Sequence, residues 1–159
     1  MRIQEYSGPR SELRGLFELA EDSARELDAY IGAGRVWVAV DDGIVGHLQL
    51  TETGLATELE IKSLAILPSH QRRGIGRELV RAAIELARDE GRSRLVVATA
   101  AADTGNLRFY QRLGFRMSAI ERDAFTTATG YAPGLRIDGI ELRDRVWLDL
   151  ALADLPGLR

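Results

Sequence analysis

The chain of 159 residues contains no cysteine. That excludes disulfides, thiolate metal ligands and a thiol nucleophile. Histidine is scarce: His47 and His70 are the two imidazoles, too few for a multi-histidine metal centre. Lysine is scarcer, because 20 of the 21 basic residues are arginine and Lys62 stands alone. No repeat, low-complexity tract or Pro/Gly/Ser-rich linker interrupts the chain. No uncharged apolar run approaches the roughly 18–20 residues that cross a bilayer. The opening Met1-Arg2-Ile3-Gln4-Glu5-Tyr6 lacks the apolar core of a secretory signal. The expectation is a cytoplasmic protein with no membrane partner, folded as one domain over residues 1–159. A net charge of −3 gives no support for a nucleic-acid partner. What is present is ordinary: 45% hydrophobic and 28% charged residues, enough for a packed core.

Periodicity divides the chain. Pro9 opens a helical pattern carried by Leu13, Leu16, Phe17 and Ala20. Leu27, Tyr30 and Ile31 continue it to the stop at Gly32 and Gly34. Residues 35–40 and 44–50 flank Asp41-Asp42-Gly43 as a hairpin. Residues 58–67 form a strand that alternates at first, with Glu58, Glu60 and Lys62 opposite Leu59 and Ile61, and then becomes wholly apolar. Such a change midway predicts a bulge or bend. A strong helix runs from about Gly74 to Glu90, with Ile75, Leu79, Ala82, Ala83 and Leu86 as its apolar stripe. Residues 95–98 read as a buried parallel strand. A helix bearing Leu107, Tyr110 and Gln111 stops at Gly114, and residues 115–121 form another strand. Residues 123–139 show no period, and a connection that long is uncommon without a function. Residues 140–150 read as one closing strand. This order gives a mixed α/β sheet with helices on both faces.

The segment Pro68-Ser69-His70-Gln71-Arg72-Arg73-Gly74-Ile75-Gly76-Arg77 carries most of the chemistry. A strand, a breaker, two glycines and a helix start expose main-chain N–H groups that suit an anion. Arg72, Arg73 and Arg77 crowd the positive end of that helix, where each cation is unfavourable by ~0.3–1 kcal/mol unless an anion lies between them. A pyrophosphate reverses the sign. A dinucleotide fingerprint fails because Leu79 holds the third glycine position, and a P-loop fails for want of Gly-Lys-Ser/Thr.

Gln71-Arg72-Arg73-Gly74-Ile75-Gly76 resembles motif A of the GCN5-related N-acetyltransferases (GNAT), Gln/Arg-x-x-Gly-x-Gly/Ala. The preceding Leu64-Ala65-Ile66-Leu67-Pro68 looks like that family's fourth strand. Leu107-Arg108-Phe109-Tyr110-Gln111-Arg112-Leu113-Gly114-Phe115 looks like its fourth-helix signature. Residues 120–125 and 138–140 resemble a bacterial subgroup of uncharacterised members. The resemblance covers nearly the whole chain. It implies a mixed, mostly antiparallel sheet of about seven strands, splayed between the fourth and fifth, with helices on both faces.

It also implies acetyl-CoA as co-substrate, no metal, and direct transfer to a primary amine of a small molecule, an aminoglycoside-like compound or a peptide. The N–H groups of Arg73 through Arg77, Gln71 at the loop's start and the Arg72 and Arg77 side chains would hold the pyrophosphate. Leu64, Ala65 and Ile66 would line the pantetheine arm, with the Ile66 N–H polarising the thioester. Glu60, eleven residues before Gln71, takes the position of a catalytic base in several members, with Glu58 as runner-up. Tyr110 would protonate the leaving thiolate, and phenol and thiol pKa values near 10 and 8.5 permit this. Asp103 stands where the family often has Asn, which leaves Asn106 as the available amide. Asp123, Phe125, Tyr131 and Asp138 are candidates for a cationic acceptor. His47 reads as a buried sheet histidine and His70 as a turn residue. The alternative is a non-catalytic acyl-CoA sensor. A monomer or a homodimer is expected.

Overall fold

The computed structural model describes residues 1–155. Strand β1 (Arg2–Tyr6) pairs antiparallel with β2 (Arg35–Val40). Between them a 3₁₀ turn over Arg10–Leu13 leads into α1 (Arg14–Ala20), followed by α2 (Ala24–Tyr30). Ser23 starts α2 as a cap, its hydroxyl accepting the Glu26 N–H at 3.2 Å. Strands β2, β3 (Ile44–Glu52) and β4 (Glu58–Ile66) form an antiparallel meander. Helix α3 (Ile75–Asp89) crosses to β5 (Arg94–Ala100), which runs parallel to β4. Helix α4 (Thr104–Arg112), β6 (Arg116–Glu121) and β9 (Arg145–Ala151) complete the sheet, in the order β1-β2-β3-β4-β5-β9-β6. That is the mixed seven-stranded sheet expected.

Alternation along the strands assigns its two faces. Leu48, Leu50, Leu59 and Ile61 pack with Leu79, Val80, Ala83 and Tyr110, so α3 and α4 cover one face. Val36 and Val38 pack with Leu13, Leu16, Phe17 and Leu27, so α1 and α2 cover the other. The buried stripe of α3 is Ile75, Leu79, Val80, Ala83, Ile84 and Ala87. Ala82 and Leu86, expected in that stripe, are half-buried at its edge. No helix among the described residues is long and apolar enough to cross a membrane.

Two local readings meet the structure differently. The bulge expected in β4 is present: Gln49 pairs with Ser63 but Leu50 with Ile61, leaving Lys62 as the extra residue. The single closing strand over 140–150 is instead two elements. Strand β8 (Ile140–Glu141) pairs with β7 (Arg136–Ile137) in a separate two-stranded ribbon, and β9 begins at Arg145. Asp138 and Gly139 both adopt positive φ, 49° and 81°, and turn that ribbon.

Candidate active site

Strand β4 leaves β5 early. Their parallel ladder ends at Ile61 opposite Val97, yet β4 continues to Ile66 with β3 alone beside it. The Leu67 N–H donates to Val45 O at 2.8 Å. By alternation the N–H groups of Ser63 and Ala65 also face β3, and those of Leu64 and Ile66 point into the gap. The sheet is therefore open where two main-chain donors face away from it.

The gap leads to the start of α3. Arg72 and Gly74 both have positive φ, 64° and 78°, so the loop curls its N–H groups inward. From Arg72 to Arg77 no main-chain N–H finds an acceptor among the described residues; the first helical bond is Glu78 N–H to Gly74 O. None of Arg72, Arg73 and Arg77 enters an ion pair among those residues, and all three are exposed. Left-handed backbone at a non-glycine residue costs roughly 1–2 kcal/mol, and strain of this kind clusters at ligand sites. The chemistry fits a polyphosphate. Gly76 serves packing: a Cβ there would meet the Phe109 ring of α4 at 3.2 Å. The Gln71 side chain donates to Ile66 O at 3.0 Å and ties the loop to the end of β4.

Glu60 and Tyr110 lie on opposite faces of the sheet, Tyr110 packed with Leu59 and Ile61 and Glu60 alternating to the other side. The Glu60 side chain is 16% exposed and accepts no hydrogen bond among the described residues; its near neighbour is the Lys62 ammonium at 3.9 Å. Burial raises its pKa above the ordinary carboxylate value, against the pull of Lys62 and Arg145. Tyr110 lies on the α3–α4 face, wedged edge-on between Phe109 and Phe115 at centroid distances of 5.0 and 5.4 Å. Burial, with a smaller push from Asp103, raises its pKa, so the phenol keeps its proton at neutral pH. Among the described residues the enclosed side-chain polar atoms without a partner are His47 Nδ1 and Gln49 Oε1, and the Tyr110 hydroxyl is not among them.

Residues 5–115 match the model of the acetyltransferase (GNAT) family. The chain belongs to the GNAT acetyltransferases. It is 33% identical over 153 residues to the uncharacterised N-acetyltransferase YvbK of Bacillus subtilis, covering 94% of this chain and 97% of that one. A crystal structure of a Bacillus subtilis acetyltransferase in complex with CoA superposes with a TM-score of 0.84 at 32% identity, covering 94% and 97% of the two chains. A GNAT acetyltransferase of Elizabethkingia anophelis with acetyl-CoA bound superposes with a TM-score of 0.84 at 27% identity and the same coverage. The chain is thus an acetyl-CoA-dependent acyltransferase, with acetyl-CoA as co-substrate.

A second cluster of polar and aromatic side chains lies on the α1–α2 face of the sheet. Glu21 accepts hydrogen bonds from the Tyr30 hydroxyl at 3.1 Å, the Tyr131 hydroxyl at 2.8 Å and the Ser23 N–H at 3.2 Å. Burial and Glu21 raise the pKa of both phenols, which stay protonated. Tyr131 meets Phe125 edge-on at 5.0 Å, and the Arg145 guanidinium lies 4.9 Å from the Phe125 ring centre. The Lys62 ammonium lies 4.8 Å above the Tyr30 ring. These contacts bring the aperiodic segment onto α1–α2 around Glu60. Gln49, buried in β3, holds the end of α2 by donating to Tyr30 O and Ala33 O at 2.8 and 2.9 Å.

Other candidates fall outside this cluster. Glu58, the runner-up base, receives two hydrogen bonds from Arg94 at 2.7 and 3.1 Å, which hold its pKa below the usual range. A carboxylate so committed is a weak base. Asp123 pairs with Arg143 at 2.9 Å on the exposed surface, and Asp138 serves the β7–β8 turn. Asp103 caps α4 by accepting the Asn106 N–H at 3.0 Å, and the Asn106 amide donates to Thr99 at 3.3 Å. His47 is fully buried, contacts Ser63 at 2.8 Å, and has its pKa pushed down to about 3 by burial, so it is neutral. His70 closes the 3₁₀ turn over Pro68–His70. Among the described residues no three His, Cys, Asp or Glu side chains gather as metal ligands. Sequence reading missed Glu21, Tyr30 and Arg145. Ser23-x-x-Glu26 is a capping-box signal that marks a helix start beside Glu21, but no local pattern pairs Glu21 with Tyr131.

Proposed function

We propose that this acetyltransferase moves an acetyl group directly to the primary amine of a small molecule or peptide, with Glu60 as general base and Tyr110 as general acid. One observation carries the reading. The hydrogen-bond-free Glu60 carboxylate and the loop of unpaired amides stand at the two ends of the stretch where β4 has lost β5.

The Arg72–Arg77 amides, with the Arg72 and Arg77 guanidinium groups, hold the pyrophosphate of the donor by charge-assisted hydrogen bonds. The N–H groups of Leu64 and Ile66 pair with the pantetheine arm as a short strand would. The sequence expectation puts the carbonyl-polarising donor at Ile66. Leu64 stands two residues nearer Glu60, roughly 6–7 Å of strand, and is the donor we assign. Acetyl-CoA supplies the activated thioester. An alkylammonium with a pKa near 10.4 is almost wholly protonated at pH 7. Glu60 takes that proton, directly or through one water, and its raised pKa suits the task. Tyr110 gives its proton to the departing thiolate. Tyr30 and Phe125, which already take the Lys62 and Arg145 cations on their rings, lie where the rest of a cationic acceptor would approach.

Thiol release from acetyl-CoA, measured against a panel of alkyl, aminoglycoside and peptide amines, tests this. Turnover that falls at least tenfold in Glu60→Gln is the expected result. Tight acetyl-CoA binding with no turnover on any amine makes the protein a sensor instead.

A further inference from the structure

The sole lysine of the chain lies beside the carboxylate assigned above as the base. Lys62 is the extra residue of the β4 bulge, which turns its side chain toward Glu60 and leaves that side chain 37% exposed. Its Nζ lies 3.9 Å from Glu60 Oε2 and 4.8 Å above the Tyr30 ring. A base serves a proton within about 2.6–3.2 Å, or one water further, so a small rotation of a four-carbon stem suffices. Leu64, whose N–H points into the gap, is two residues away. A carboxylate and an aromatic face thus flank the Lys62 amine as they would a substrate amine, at the end of the strand that borders the gap.

We propose that Lys62 is a self-acetylation site: with acetyl-CoA bound and no acceptor present, the protein transfers the acetyl group to its own Lys62 Nζ. The inference rests on the amine-transfer reading above. The Lys62 ammonium gives one proton to Glu60, and its lone pair forms a C–N bond with the thioester carbonyl carbon. The C–S bond breaks, and the second amine proton ends on the departing sulfur. Ammonium and acetyl-CoA become an acetamide, free CoA thiol and one released proton. The acetamide can neither pair with Glu60 nor lie as a cation on Tyr30. The modified chain therefore presents a different acceptor cleft.

The test uses the full chain with acetyl-CoA alone, followed by intact mass spectrometry and peptide mapping. Addition of one acetyl mass at Lys62 is expected, with a rate constant independent of protein concentration. Glu60→Gln slows it at least tenfold, and Lys62→Arg abolishes it. Three outcomes overturn the inference: acetylation confined to the Met1 amine, equal rates of Lys62 modification in wild type and Glu60→Gln, or an unmodified Lys62 in an enzyme that acetylates added amines. The last leaves the amine-transfer reading standing. Acetyl-CoA binding with neither added amines nor Lys62 acetylated overturns both.

Discussion

The two sides of β4 are built in different ways. Toward α3, the site is main chain: consecutive amides from Arg72 to Arg77 and the outward-facing N–H groups of Leu64 and Ile66. On the α1–α2 face, the site is side chains drawn together from distant parts of the chain; Glu21 and Tyr131 are 110 residues apart. A main-chain site needs only a chain path, which two glycines and a helix start can specify. A side-chain site needs a whole fold to assemble it. On the reading proposed above, the main-chain half would serve the donor and the side-chain half the amine.

The largest break in that division comes at Glu60. Glu60→Gln is expected to lower kcat by ~10²–10⁴ while leaving the KM for acetyl-CoA unchanged. Stability should move the other way. The folded-state pKa of Glu60 is raised by burial. Its favourable neutral form is thus fully present below the unfolded carboxylate value and lost as pH rises through the folded value. At pH 7 Glu60→Gln is expected to melt at or above wild type, and the difference closes on acidification. Glu58→Gln gives the opposite sign. Its folded pKa is depressed by Arg94, so its stabilisation is present at neutral pH and fades as pH falls through that lower value. Melting curves of both variants from pH 3 to 8 separate a poised base from a structural ion pair.

Tyr110→Phe is next. The substituted ring would keep the packing against Phe109 and Phe115 but lose the proton donor. Thiolate leaves fairly well unaided, so kcat should drop about tenfold, below the ~10²–10⁴ typical of a positioned acid, with both KM values held. On the donor side, Arg72→Gly keeps the left-handed turn at φ 64° without the cost of a side chain there, and removes one guanidinium. The KM for acetyl-CoA is expected to rise about tenfold, the scale of a screened charge-assisted hydrogen bond. The melting temperature should stay or rise. A large fall in melting temperature with unchanged KM would make Arg72 a structural residue.

How much was legible follows the same division. The motif at Gln71–Gly76, the bulge in β4 and the parallel β5 were readable because each rests on local pattern. Glu60 entered as a candidate through the resemblance, which pairs the motif with a carboxylate eleven residues upstream. The closing strand was overextended because Val146, Leu148 and Leu150 continue a plausible alternation back to Ile140. Asp138-Gly139 between Ile137 and Ile140 was the hairpin signal that pairs Ile140 back onto Ile137 instead. Asp123 looked available to a cationic amine because nothing in the sequence announces its pair with Arg143, twenty residues on. The contacts of Glu21 with Tyr131 and of Tyr30 with Lys62 were invisible because those partners come from the aperiodic segment and from β4.

The smallest effect is the most discriminating. Tyr131→Phe removes one donor from Glu21, which keeps the Tyr30 hydroxyl and the Ser23 N–H. The ring still fills its place against Phe125. Loss of a hydrogen bond to a partly solvated carboxylate is worth about 1 kcal/mol, or a fall of roughly 2–4 °C in melting temperature. The phenol stays protonated in the wild type, so the difference should not depend on pH between 6 and 9. Because that bond anchors the aperiodic segment to the α1–α2 face, the KM for the acceptor is expected to rise a few-fold while the KM for acetyl-CoA does not move. If both KM values rise together, the segment supports the donor slot as well, and the two sides of β4 are one site rather than two.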